Sequence, residues 1–184
     1  MLDREIEKNL LERAKEDKEA FGKIFEEYFS LILNYIFGRV GSKEDAKDLT
    51  EEVFTRALFS IDKYKDKGIP YSNYLLKIAT NIINDFIKQN RRLILKNDIE
   101  IEYKEDFLDI EEKKFFIIQK AILKLPLKYQ NVLSLKIFEK KKIKEISDIL
   151  DINESTVKTI LKRGTEKLKE ELKKDETFLK EFSL

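Results

Sequence analysis

Between Ile143 and Leu168 the apolar residues fall into two short helical registers with a break at Asp151 to Asn153, and this stretch constrains the fold most. Ile143, Ile146, Ile149 and Leu150 have the spacing of one helical face. Asp151 stands where the chain must turn, and Asp tolerates the left-handed conformation better than most residues. Asn153 is placed to cap a second helix, with Glu154 near the positive end of its dipole. Val157, Ile160, Leu161, Gly164 and Leu168 mark the inner side of that helix. Ser155, Thr156, Lys158, Thr159, Lys162 and Arg163 are left outside. Two short helices joined by a tight turn make a helix-turn-helix. The second can enter a major groove, its hydroxyls reaching base edges and its cations reaching phosphates. An ordinary helical hairpin with a solvated outer face fits the same pattern, and this stretch alone leaves both open.

The remainder is expected to be helical as well, because breakers are scarce: 5 Gly and 2 Pro in 184 residues, against 42% hydrophobic and 40% charged. The expected fold class is all-α, with two small helical domains joined by an acidic flexible linker and the helix-turn-helix in the second. The formal net charge is +1, so any basic patch must arise by segregation. The absence of Cys and His excludes disulfides, thiolate chemistry, the usual zinc sites and a histidine base. No catalytic residues, metal, cofactor or small-molecule substrate are expected. Met1 to Asp17 is charged from its start and holds no signal-peptide core, and no apolar run is long enough to span a bilayer. A cytoplasmic protein is the expectation.

Along the chain, Ile6, Leu10, Phe21, Ile24, Phe25, Tyr28, Phe29, Ile32, Leu33 and Ile36 predict two helices with a break near Lys15 to Glu19. Ser42 is a good cap for a helix from Lys43 to Tyr64, with Asp45 completing a variant of the capping box. Ala46, Leu49, Val53, Ala57 and Leu58 make its buried stripe. Asp45, Asp48, Glu51, Glu52 and Arg56 lie outside, a charged face that by itself reads as solvated. Gly68 and Pro70 punctuate a loop bracketed by Tyr64, Tyr71 and Tyr74, with Lys65 and Lys67 interleaved. Such a loop can stack and hold unpaired bases. Aromatic packing at a helix start accounts for it equally well.

Tyr71 to Arg92 is predicted as one long helix with Leu75, Ile78, Ala79, Ile82, Ile83 and Phe86 inward. Lys77, Asn81, Asn84, Lys88 and Arg91 recur every three or four residues and share one outer face, which ends at Arg92. A polar, amide-rich and cationic stripe with Asp85 as its only acid suits DNA. Residues 93–111 are strongly acidic and read as a linker between domains over 1–92 and 112–184. It would be repelled by DNA and favour a basic groove on a protein. The last domain carries a helix from Glu112 that stops at Pro126, a helix from Leu127 to Phe138, the helix-turn-helix, and a tail with Phe178, Leu179 and Phe182.

Two DNA-facing helical domains joined by an acidic linker resemble a bacterial sigma factor of the extracytoplasmic-function group, in the sigma-70 family. Asp45-Ala46-Lys47-Asp48-Leu49-Thr50-Glu51-Glu52-Val53-Phe54-Thr55-Arg56-Ala57 looks like that family's clamp-binding helix. Tyr74-Leu75-Leu76-Lys77-Ile78-Ala79-Thr80-Asn81 looks like the start of its promoter-melting helix. Leu125-Pro126-Leu127-Lys128-Tyr129-Gln130 and Thr156-Val157-Lys158 resemble its minus-35 domain. The family often has Trp at the place of Tyr74, a small turn residue at Asp151 and a Ser cap at Lys142.

The resemblance implies three partner faces. Asp45, Asp48, Leu49, Glu52, Val53 and Arg56 would bind the clamp of the largest subunit of core RNA polymerase. Tyr64, Lys65, Tyr71, Asn73, Lys77, Asn81, Asn84, Lys88, Arg91 and Arg92 would bind the minus-10 region of promoter DNA and open it. Ser155, Thr156, Lys158, Thr159, Lys162 and Arg163 would bind the minus-35 element. The flap of the second-largest subunit and an anti-sigma factor are further implied partners. A free-standing helix-turn-helix regulator and a helical interaction protein with no DNA role are the rival readings; the first leaves the loop tyrosines and the clamp-like helix unexplained.

Overall fold

The computed structural model describes the backbone of residues 2–94, 110–175 and 178, and the side chains of 2–90, 111–175 and 178. The expected acidic linker lies outside the described residues over 95–109, as do Leu179 and Phe182. The described chain is all-α. Its helices are α1 (Arg4–Arg13), α2 (Lys18–Val40), α3 (Lys43–Ser60), α4 (Tyr71–Ile94), α5 (Ile110–Leu123), α6 (Leu127–Ile137), α7 (Ile143–Leu150) and α8 (Glu154–Leu172), with one 3-10 turn at Ile61–Lys63.

Local chemistry starts and stops these helices where the sequence places the signals. Asp3 and Asp17 cap α1 and α2 by accepting from Glu5 N–H and Glu19 N–H. Ser42 Oγ accepts from Asp45 N–H at 3.2 Å, which is half of the expected capping box. α3 ends at Ser60 rather than Tyr64, where Ser60 Oγ donates back to Arg56 O at 2.8 Å. Such a bond draws the last carbonyls into the tighter 3-10 turn.

α2, α3 and α4 pack on one another around Ile24, Tyr28, Ile32, Tyr35, Val53, Phe54, Leu75, Ile82 and Ile83, all buried. Truncating one of these isoleucines to Ala would cost about 2–5 kcal/mol. Two expectations for this layer are corrected. Ile6 is 58% exposed, and the buried stripe of α1 is Glu7, Leu10, Leu11 and Ala14. These positions follow the i, i+3, i+4, i+7 rule better than Ile6 does, provided the acid at 7 finds partners. Leu58 points outward, and Phe54 and Ile61 fill the stripe instead.

The second half packs on the first. The apolar core formed by α1 to α4 continues into Val132, Leu135, Ile146, Ile149 and Val157. A smaller cluster of Ala121, Ile122, Leu125, Tyr129, Leu133 and Leu168 holds α5, α6 and α8 together. α8 crosses α6 at Gly164, where a Cβ would stand 3.1 Å from Tyr129 Cδ1, so any larger residue would have to push the Tyr129 ring aside by a few tenths of an ångström. At the seam Gln119 Nε2 donates to Phe37 O at 2.8 Å, and Arg39 Nη2 donates to Gln130 Oε1 at 3.4 Å. Nε and Nη1 of the fully buried Arg39 have no hydrogen-bond partner among the described residues.

Candidate nucleic-acid interface

The helix-turn-helix is formed by α7 and α8. Asp151 closes α7 in the left-handed region, φ 56° and ψ 47°, as its place in the sequence requires. Asp151 N–H and Ile152 N–H both return to Ser147 O, the pattern that satisfies helix-end carbonyls. Lys142 stands at the start of α7 without a hydroxyl to cap it, and Glu145 supplies the other half of a capping box, its carboxylate accepting from Lys142 N–H at 2.9 Å. Asn153 occupies the cap position of α8 with extended backbone, but its side chain makes no capping bond. That expectation is corrected: only the backbone carbonyl, accepting from Val157 N–H, serves the helix start.

Val157, Gly164 and Leu168 pin one side of α8 into the fold. Ser155, Thr156, Lys158, Thr159, Lys162 and Arg163 are all exposed on the rest of it. Thr159 Oγ1 donates to Ser155 O at 2.9 Å, which leaves its lone pairs outward. The result is an open helix face of hydroxyls and cations.

On α4, Asn81 and Lys88 are exposed, while Lys77 and Asn84 are half-buried. Lys88 pairs with Asp85 at 3.6 Å, and Lys77 reaches Asp151 of the helix-turn-helix at 3.8 Å. Pairs this exposed are worth about 0–1 kcal/mol and leave both cations free to exchange partners. Asn84 Oδ1 is buried without a partner among the described residues. The side chains of Arg91 and Arg92 lie outside the described residues.

The tyrosine loop is where structure departs most from a base-stacking platform. Tyr71 is 0% exposed. Its ring meets Tyr64 edge-on at 4.9 Å, and Tyr74 contacts both, at 5.0 Å from Tyr64 and 5.5 Å from Tyr71. Tyr74 OH and Ser60 Oγ share a hydrogen bond of 2.7 Å. Burial, with Asp66 nearby, pushes the Tyr64 phenol up to about 12. Aromatic packing at the helix start therefore describes Tyr71, which offers no face to a base; half-buried Tyr64 keeps an edge outside. Asn73 is also corrected. It is 2% exposed beneath α7, where Lys141 and Glu145 take its amide.

On α3, Asp48 and Arg56 are exposed and Asp45 and Glu52 half-buried, with Arg56 donating to Glu52. Leu49 and Val53 are buried in the core, so they hold the helix down and cannot themselves meet a partner. Sequence reasoning passed over Phe59, which is 81% exposed. It lies seven residues after Glu52, on the same face, and that spacing was the available signal. It also passed over Arg4, Glu7 and Asp66, which meet at the base of the loop. An acid at an apolar-stripe position marked Glu7.

A family model described as Sigma-70 region 2 matches residues 24–93, and one described as Sigma-70, region 4, matches residues 115–168. The chain is 31% identical over 183 residues to the ECF RNA polymerase sigma factor SigW of Bacillus subtilis, spanning 91% of this chain and 97% of that protein. It is 28% identical over 168 residues to the ECF RNA polymerase sigma factor BldN of Streptomyces coelicolor, spanning 86% of this chain and 63% of that one. Among solved structures, CnrH in complex with the cytosolic domain of CnrY superposes with a TM-score of 0.69 at 17% identity, over 92% of this chain and 98% of that one. The sigma factor RpoE in complex with the anti-sigma factor NepR from Bartonella quintana gives 0.65 at 16% identity, over 84% and 98%. At those identities the likeness speaks for the fold alone.

Proposed function

The chain belongs to the extracytoplasmic-function group of the sigma-70 family, and from that membership we propose how its surfaces divide the work of starting transcription. It is an RNA polymerase sigma factor, directing promoter recognition, DNA melting and initiation. In our reading, residues 1–92 melt the promoter and hold the polymerase clamp, 93–111 are an acidic linker, and 112–184 bind the minus-35 element. The protein works where polymerase and DNA are, in the cytoplasm. No helix among the described residues is long and apolar enough to cross a membrane. RNA synthesis is the polymerase's chemistry, and this chain is not an enzyme.

Asp45, Asp48, Glu52 and Arg56 on α3 form the proposed seat for the clamp helices of the largest subunit, and the flap of the second-largest subunit meets the C-terminal half. Lys65 and the edge of Tyr64 on the loop, with Lys77, Asn81, Asn84, Lys88, Arg91 and Arg92 on α4, take the minus-10 strand. Tyr71 and Asn73 support that face from below. Asn81 is nearest the loop, and its amide can both donate and accept at a base edge. The cations further along serve the backbone. Since RpoE is described with the anti-sigma factor NepR, we also propose a protein partner of that class.

The observation that carries the reading is α8: its apolar side is sealed into the fold and its six polar groups, Ser155 to Arg163, all face solvent. A gel shift with duplex promoter DNA, with and without core polymerase, tests it. A shift that needs both this chain and core supports a sigma factor. A shift with the chain alone, unaffected by core, indicates a free-standing regulator. No shift with either indicates an interaction protein without a DNA role.

A further inference from the structure

Helix α1 carries an acid where its apolar stripe calls for a hydrocarbon. Glu7 shares that stripe with Leu10, Leu11 and Ala14 and is 4% exposed. A carboxylate taken out of water needs several partners to offset its lost hydration. Glu7 has three. It accepts from Tyr28 OH, from Arg4 Nη1, and from the backbone N–H of Tyr71 at 3.0 Å.

Tyr71 is the first residue of α4, whose first turn contains no acid of its own. Glu7 therefore supplies, from another helix, the negative group that the positive end of α4 lacks. Arg4 extends the cluster. Its Nη1 is on Glu7 and its Nη2 donates to Asp66 Oδ1, in the loop. Asp66 Oδ1 also accepts from Gly68 N–H at 2.9 Å, and Gly68 holds a φ of +74° that favours glycine. A single run of contacts, Tyr71 to Glu7 to Arg4 to Asp66 to Gly68, thus joins the loop's tip to the helix start that follows it. It also offsets the loop's one acid, so that the tip presents Lys65 and Lys67, both exposed.

We propose that Arg4 and Glu7 are positioning residues for promoter opening: through them α1 fixes the conformation and charge of the Tyr64 to Pro70 loop. The proposal rests on the reading that this loop takes part in strand opening. Helix α1 lies outside the residues matched by the region 2 model, which begin at 24. The motivation is accordingly the contacts themselves.

The test uses holoenzyme assembled from the full chain and core polymerase, on a promoter recovered by that holoenzyme from a randomised duplex pool. Permanganate reactivity of unpaired thymines gives the opening rate on duplex DNA, and transcript formation gives the rate on the same promoter carrying a pre-melted bubble, which needs no opening. Asp66→Asn and Arg4→Ala are each expected to slow opening about three- to fivefold, the scale of a partly exposed ion pair. The double variant is expected to be no slower than the worse single one, because the two act through each other. Arg4→Lys is expected to restore most of the rate. Transcription from the bubble template is expected at the wild-type rate throughout, with the thermal midpoint of Asp66→Asn unchanged.

Wild-type opening by Asp66→Asn and Arg4→Ala, while deletion of Lys65 to Ile69 slows it, would overturn the proposal and keep the loop's role. Equal slowing on duplex and bubble would also overturn it, since a general defect is not positioning. Wild-type opening by the loop deletion itself would remove the loop from melting and this proposal with it. Asp66→Asn keeps the test decisive where a change at the buried Glu7 prevents folding.

Discussion

Lys141 Nζ donates to Asn73 Oδ1 across 2.8 Å, tying the segment before α7 to the first turn of α4. The same amide donates from Nδ2 to Glu145 Oε1 at 3.4 Å, and Lys141 pairs with Glu145 at 3.7 Å. The Asn73 side chain is the shared partner of a cation and an acid, both from the other half of the chain. Asn73→Ala would leave the Lys141 ammonium under-partnered where it is nearly out of water, at a cost of about 1–3 kcal/mol. The seam already buries an Arg39 with two nitrogens that have no hydrogen-bond partner among the described residues. The variant is therefore expected to loosen the docking of the two halves as well as lower the thermal midpoint. The chain has no Cys, so label pairs introduced at the exposed positions 47 and 169 can report the distance between halves. A broadened distribution in Asn73→Ala is expected; an unchanged narrow one would show that the apolar core alone holds the seam.

The α3 face makes a separate prediction. Asp48→Ala combined with Glu52→Ala is expected to weaken binding to core polymerase. The thermal midpoint should stay nearly unchanged, as exposed substitutions usually shift stability by no more than about 0.5 kcal/mol. Phe59→Ala is expected to do the same, because 81% of that ring is in water and it continues the Glu52 side of the helix. Titration of labelled core with each variant measures this, and unaltered affinity in all of them would remove α3 from the interface.

On α8, the two kinds of contact separate by their signatures. Lys158→Ala and Lys162→Ala are expected to weaken binding on every sequence and to flatten its salt dependence by about one phosphate contact each. Arg163→Ala is expected to cost about 1–3 kcal/mol and to relax the preferred minus-35 sequence if the guanidinium reads a base. Holoenzyme binding across a panel of single-base minus-35 variants, at several salt concentrations, checks both. Indifference to all three changes would show that another face touches DNA.

Glu139 gives a pH signature. Burial pushes its carboxyl up from 4.5 to about 7, against the pull of Lys141. The group lies close enough to Tyr35, beside Arg39, to act on the Tyr35 phenol electrostatically. A raised acid keeps its proton in the folded chain after the unfolded chain has released it. Its stabilising contribution is therefore complete below the unfolded value and is lost as the pH rises through about 7. Glu145 and Asp17, held below the usual carboxylate range, work the other way and lose theirs as the pH falls. Comparing wild type with Glu139→Gln isolates the first effect. The midpoint of the wild type relative to the variant is expected to drop between about pH 5 and about pH 8. A constant difference over that range would place the carboxyl in water.

The helices were legible in the sequence because they depend on neighbours three or four residues away, although the end of α3 and the cap of α8 were not. The breaks before Lys18 and at Pro126, the left-handed turn at Asp151 and the outward face from Ser155 to Arg163 all follow from local spacing. Tertiary structure decided which polar groups remain in water. Asn73 has the spacing of the outer face, in step with Lys77 and Asn81, but is covered by Lys141 and Glu145, from 68 and 72 residues further along; Tyr71 is in step with Leu75 and Ile78 and is covered by Tyr64, Tyr74 and Glu7. Leu49 and Val53 carry a motif's identity and a core's location at once, and their spacing in the buried stripe already assigned the second. Glu7 shows the converse: the sequence reading places Ile6 inward, whereas packing buries Glu7, and a tyrosine hydroxyl, a backbone amide and an arginine make that position tolerable. Spacing specifies which residues share a face, whereas the cost of burying a charge depends on partners that only the folded chain brings within reach.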